Sequence, residues 1–228
     1  MAYVPNRTAT TGELISGTFD VLGASRREIA MYLAVFAAIG LLLAVDMVEG
    51  LVSTLSFLLY FPAQYWLCRQ MLARAGLTHD DQYRVFSFFG MAIILGMAIM
   101  IGFNFFWIPG ILLGAKWIMA PCYLVAGKSN LFDAIGDAWR KSDGSTFSLS
   151  LAYTAIGVIG IIAFWGVIVV ATFTGSTVFQ GSDMVNNPLA GVFLSISLNI
   201  IPIMMMALSV ATYRVLSEEM EDLTEVFA

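Results

Sequence analysis

The chain has 228 residues, 59% of them hydrophobic and 12% charged, with a mean hydropathy of +0.84 and a formal net charge of −5. A soluble domain averages about 45–50% apolar and about 25% charged, so this composition excludes an ordinary water-soluble globule and predicts an integral membrane protein. The negative charge comes largely from a C-terminal acidic cluster, and no basic patch exists that would bind nucleic acid.

Thr10, followed three positions later by Glu13, is the signature of a capping box. It predicts a helix over 11–27 with Ile15, Phe19 and Leu22 on one face, closed by Arg26-Arg27. Residues 1–28 carry several charges and no signal-peptide core. The first apolar run ends in Asp46 and Glu49 without a small-residue cleavage pattern, so it is expected to stay in the mature protein.

Crossing about 30 Å of hydrocarbon takes about 20 helical residues. Six runs qualify or nearly so: about 29–47, 51–73, 86–107, 110–127, 146–172 and 188–212. They are continuous rather than alternating, which predicts helices, the structures that satisfy their own backbone inside a bilayer. The fourth run is the shortest, is marked by Pro109-Gly110 and Pro121, and holds the one charge deep inside an apolar run, Lys116.

Ten of the eleven basic residues fall on one side: Arg7, Arg26 and Arg27; Arg69, Arg74 and Arg84; Lys128, Arg140 and Lys141; and Arg214. The connections at 46–50, 108–109 and 173–187 hold none. The positive-inside rule then predicts a multi-pass protein of the inner (cytoplasmic) membrane with both termini in the cytoplasm. The expected architecture is all-α, with six transmembrane helices in three hairpins closed on the outer side.

Each hairpin is preceded by a polar-capped segment. Before the third, Asn130 caps a predicted helix over 130–142 with Leu131, Ile135, Ala138 and Trp139 on one stripe, closed by Arg140-Lys141. Before the second, His79-Asp80-Asp81 leads into Tyr83, Val85 and Phe86, a fainter version of the same plan. Helices 11–27 and 130–142 read as cytoplasmic and interfacial, with cations suited to helix C-termini and anionic head groups. Arg26, Arg27, Trp139, Arg140 and Lys141 are the candidate lipid-interface residues. The plan allows a weak parallel repeat about an axis along the membrane normal. For the acidic tail 213–228, two readings stand: an amphipathic continuation of span six, with Leu216, Met220, Leu223 and Phe227 at helical spacing, or a frayed end.

Small residues four apart (Ala34 and Ala38, Gly40 and Ala44, Ala92 and Gly96, Ala98 and Gly102) predict close helix approach within the chain. Ser56, Tyr60, Pro62 and Gln64 in span two, and Ser195, Ser197, Asn199 and Pro202 in span six, predict polar groups meeting around proline-freed carbonyls. Cys68 and Cys122 read as apolar packing residues.

Catalysis needs a constellation, and none is legible. One histidine, His79, rules out an HExxH zinc site, and no phosphate-binding G-x-x-x-x-G-K-[ST] loop occurs. Asp133 and Asp137 are explained by a helix N-terminus. No cofactor is expected. Lys116, Gln64 and Asn199 form the candidate polar intramembrane site, since an ionisable group inside a membrane is a site hypothesis by default. The competing reading has Lys116 about 8–10 Å below the outer boundary, snorkelling outward to Asp46, Glu49 or Asn104.

The order Ile108-Pro109-Gly110, Lys116-Trp117, Pro121, then Ala134 through Trp139 closing on Lys141 and Gly144, resembles the glycerophosphoryl diester phosphodiesterase membrane domain family and its YciC-like uncharacterised relatives. The opening TGELISGTFDVLGASRREIAMYLAVFAAIG is also similar to that family, and the resemblance covers most of the chain. Two positions depart from it: Ala126 stands where an acid is common, and Ala138 where a serine is common. The resemblance implies six spans and phospholipid-related membranes, while the enzymatic name belongs to a fused soluble domain that is not found in this sequence.

The leading expectation is a non-enzymatic inner-membrane protein that contacts membrane lipids or acts as a scaffold for a membrane or cytoplasmic protein partner. The rivals are a small transporter or channel with Lys116 near its pathway, and an accessory membrane subunit of a lipid-modifying enzyme.

Overall fold

The computed structural model describes residues 8–42, 49–78, 84–127, 130–174 and 188–217. Nine helices carry the described residues, and no strand occurs among them: α1 (Thr11–Ala24), α2 (Arg26–Leu42), α3 (Glu49–Arg74), α4 (Val85–Phe105), α5 (Trp107–Trp117), α6 (Ala120–Val125), α7 (Leu131–Lys141), α8 (Thr146–Phe173) and α9 (Pro188–Ser217). Four stretches are long and apolar enough to cross a membrane: Val85–Phe105, Trp107–Val125, Thr146–Phe173 and Pro188–Leu216. The composition and these stretches fit an all-α membrane protein.

α9 is the axis of the fold. From Met206 to Tyr213 every residue is buried, more than two turns of helix enclosed on all faces. Ala207, Ser209, Ala211 and Thr212 keep this stretch slender, which lets neighbours close in from every side. α8 runs antiparallel to it, with Gly157 beside Met205 and Gly160 beside Ile201. α1 and α2 run antiparallel along another flank as one rod bent at Ser25. Gly17 lies beside Ala211, Tyr32 reaches Asn199, and Gly40 lies against the backbone of Gly191.

The α1 capping box forms as read: Glu13 N–H donates to Thr10 Oγ1 at 3.3 Å, and Thr10 N–H donates to Glu13 Oε2 at 2.9 Å. Its buried stripe differs. Leu14, Thr18 and Val21 face the bundle, Ile15 and Leu22 are half-buried beside them, and Phe19 is exposed. The reason is the partner: α1 docks on α9 and α8, so its packing face is set by their grooves rather than by a lipid surface. In α7 the buried line is Ala134 and Ala138, flanked by Leu131 and Ile135, with Trp139 exposed at the edge. Asn130 holds the expected cap position of α7 without a side-chain bond.

These two helices match at an offset of 120 residues. Acids Glu13 and Asp133 stand in the first turn, small or apolar pairs Leu14/Thr18 and Ala134/Ala138 are buried, and aromatics Phe19 and Trp139 are exposed. Packing follows the same plan. α1 packs on α9, and α7 packs on α6. Six helices close a ring in the order α2, α3, α4, α5, α8, α9 and back to α2.

The fourth apolar run is two helices rather than one. Pro121 lacks the N–H that an unbroken helix would need, and Cys122 N–H turns to Met119 O at 3.0 Å. The carbonyl of Ile118 is thereby released, and Ser209 Oγ of α9 donates to it at 2.5 Å. The reverse turn between α4 and α5 is Phe106 alone, so Trp107–Pro109 belong to α5 rather than to a connection. Gly40 and Gly102 make close intramolecular approaches, to Gly191 and Gly110, while Gly96 has open space beside it. His79–Asp81, Lys128, Asp46, Arg7 and the tail beyond Ser217 lie outside the described residues.

Candidate functional site

Lys116 leaves α5 near its C-terminal end and points toward the turn between α7 and α8. Its ammonium is ion-paired with Asp143 and lies 4.4 Å from the centroid of the Trp139 ring. The lysine side chain is 15% exposed and the aspartate 58%. Asp143 is placed by a tight turn. Ser142 N–H bonds Ala138 O at 3.1 Å to end α7, and Gly144 takes φ +89°, a left-handed conformation that glycine adopts without strain. Trp139 also packs on Trp117, with ring centroids 5.6 Å apart. Arg140, exposed, pairs with Asp137 at 2.6 Å.

This arrangement gives Lys116 a partner other than Asn104, while Asp46 and the Glu49 side chain lie outside the described residues. Its partners are at the α7–α8 turn, among Arg140 and Lys141, and not near Asn104, whose amide instead donates to Met100 O at 2.9 Å. Sequence reasoning missed Asp143 because the pair spans 27 positions, beyond any helical periodicity.

Gln64 and Asn199 do come together, through a residue that the sequence reading passed over. Tyr32 donates its hydroxyl to Asn199 Oδ1 at 2.7 Å, and the Gln64 side chain lies within hydrogen-bonding reach of the Tyr32 and Tyr60 hydroxyls. Asn199 Nδ2 donates to Ser195 O at 2.8 Å. Buried polar groups are thus satisfied across α2, α3 and α9. Lys116 takes no part in this cluster, so the three candidate residues form two separate groups.

Between these groups lies a cavity of about 250 Å³, walled mainly by apolar side chains of α4, α5, α6, α8 and α9. Gln64, Leu95, Gly114, Trp117, Tyr153 and Met206 line it. Gly114 is required here, since a Cβ would meet the Tyr153 ring at 2.7 Å. Trp117 is both a wall of this cavity and the ring partner of Trp139, whose ring lies under the Lys116 ammonium.

Cys68 and Cys122 are buried free thiols, and Cys122 Sγ lies 3.0 Å from Ser209 Oγ. Arg26 and Arg27 are exposed at the α1–α2 bend. Beside them, Glu28 is buried and accepts from Arg74 Nη2 at 2.6 Å and Nε at 3.0 Å, joining α2 to α3.

The class defined by this fold is a helical membrane protein with a mainly apolar cavity between its helices. Comparison with protein-family models, with curated proteins and with solved structures returns no match.

Proposed function

We propose that the chain is a non-enzymatic protein of the inner membrane that binds a membrane phospholipid. Its six apolar segments enter the bilayer as three helical pairs, with both termini in the cytoplasm. One acyl chain occupies the cavity lined by Leu95, Trp117 and Met206, and a zwitterionic head group meets Lys116 through its phosphate and Asp143 through its amine. The observation that carries this reading is Trp117, shared between the cavity wall and the aromatic pair under the Lys116 ammonium. The one-sided basic residues and exposed Arg26, Arg27 and Arg140 support contact with anionic head groups as well.

A transport pathway through Lys116, Gln64 and Asn199 would need the three on one route. Gln64 lines the cavity between the two clusters, but the wall is otherwise mainly apolar, which favours lipid binding over transport. Kinship with the glycerophosphoryl diester phosphodiesterase membrane domain family, proposed on the Ile108–Gly144 stretch, agrees with a phospholipid-linked role. Service as an accessory subunit of a lipid-modifying enzyme is a further proposal, tested by co-purification.

The test is cross-linking in vesicles with a phosphatidylethanolamine that carries a photoactivatable group in one acyl chain. Adducts are expected on peptides holding Leu95, Trp117 or Met206, and Ala92→Trp, which fills the cavity, is expected to abolish them. Adducts confined to the outer faces of α4 and α8, unchanged by Ala92→Trp, would overturn the proposal. Solute flux that disappears in Lys116→Met while cavity adducts persist would favour the transporter instead.

A further inference from the structure

We infer that the α4–α5 hairpin is re-entrant: it dips into the bilayer from the head-group layer that holds Asp143, turns at Phe106 inside the hydrocarbon, and returns. The turn does not reach the opposite surface. This deepens the proposed architecture and rests on the charged α7–α8 turn lying at a head-group layer, whichever side that is.

The depth is fixed by Lys116. Its partner Asp143 is 58% exposed and its neighbour Arg140 is 76% exposed. Charges so exposed lie in head groups or water, since the bilayer interior is costly for them. From Lys116 back to Trp107, the first residue of α5, is nine helical steps, about 14 Å at about 1.5 Å each. Helical side chains lean toward the N-terminus, here toward the tip, so the ammonium sits closer still. The hydrocarbon is about 30 Å thick. A hairpin tied by Lys116 to one head-group layer therefore ends near mid-membrane, and α4, at 21 residues or about 31 Å, begins well outside that layer rather than at it.

Three further observations agree. Phe105, Phe106, Trp107 and Ile108 are 70–78% exposed and carry no charge, a surface suited to acyl chains. Asn104, the polar group nearest the tip, turns its amide back to Met100 O, as it must where no water is present. α5 meets α8 at Tyr153, near the start of that helix, and α8 continues for 20 residues beyond it. Over that upper length Ile161, Ile162, Trp165, Val169 and Val170 are exposed. The hairpin thus leaves the far leaflet above it to lipid.

A spin label at Ile108→Cys, in a chain with Cys68→Ala and Cys122→Ala, tests this in vesicles. High collision with oxygen and low collision with an aqueous nickel chelate are expected, with the reverse at an Arg140→Cys control. Strong nickel collision at position 108 would overturn the inference. A second measurement leaves both native cysteines in place. The fluorescence lost on Trp107→Phe is expected to be quenched more by lipids brominated near the chain end than by lipids brominated near the head group. The opposite order would place the turn at a surface and overturn the inference. Neither readout involves lipid capture in the cavity, so either proposal can fail alone.

Discussion

Lys116 is held by a carboxylate on one side and an aromatic face on the other. Because Asp143 is largely exposed, the pair is worth only about 1 kcal/mol or less. Lys116→Met is therefore expected to lower the thermal midpoint in detergent by about 2–4 °C, with little further loss on adding Asp143→Asn. Full additivity of the two changes would show that the pair is not coupled. Glu28, at the mouth of the first apolar run, behaves differently with pH. Hydrogen bonding from the Arg74 guanidinium holds its carboxyl below the usual carboxylate range, helped by its own backbone amide and opposed by burial. A lowered folded-state value means that the pair stabilises above the ordinary 4.5 and that this contribution is lost as pH falls through the lowered value. Unfolding of the wild type measured against pH should thus fall off more steeply below 4.5 than that of Glu28→Gln. Parallel acid limbs in the two proteins would sink this account.

At the scale of single helices, the glycines separate packing from propensity. Gly114→Ala drives a Cβ into the Tyr153 ring and is expected to cost roughly 1–3 kcal/mol, partly recovered by Tyr153→Leu. Gly136→Ala meets nothing within 4 Å and should stabilise α7 by roughly 0.5–1 kcal/mol. Denaturant midpoints of the three variants decide it, and equal losses at both glycines would refute the packing argument. The break at Pro121 gives a coupled case. Ser209→Ala removes the donor to Ile118 O and is expected to cost roughly 0.6–1.7 kcal/mol. In a Pro121→Ala background, where α5 and α6 can join, that cost should shrink toward zero. Much of this was legible beforehand. The capping box at Thr10 and Glu13, the helical runs and the close approach at Gly40 all follow from local rules. The Ile118–Met119 break was not placed, because a proline marks a helix without saying which freed carbonyl finds a partner. The face of α1 was misjudged by one position, because a hydrophobic stripe read alone cannot distinguish a lipid surface from the groove of α9.

Over the whole molecule, the ring of helices and the enclosed half of α9 predict a gradient of local stability. Amide exchange should be slowest from Met206 to Tyr213, and slower there than in α4, although α4 is the more apolar of the two. If α4 outlasts α9, burial is not what holds the core. Apart from the meeting of polar groups of α3 and α9, little of this long-range closure could be read from composition or spacing. Lys116 was singled out from its charge, whereas Asp143 and Tyr32 became visible only once distant segments were brought together. The union of α2 with α9 has a consequence for biosynthesis. Tyr32 and Asn199 are 167 positions apart, and a ribosome adds about 5–20 residues per second. The first helices therefore wait on the order of ten to thirty seconds for the last one to be made. Until then their faces toward α9, Gly40 among them, have no mate in the nascent chain. Whatever shelters them in that interval, lipid or insertion machinery, acts on a polypeptide whose first helices meet their principal partner only when the last helix is made.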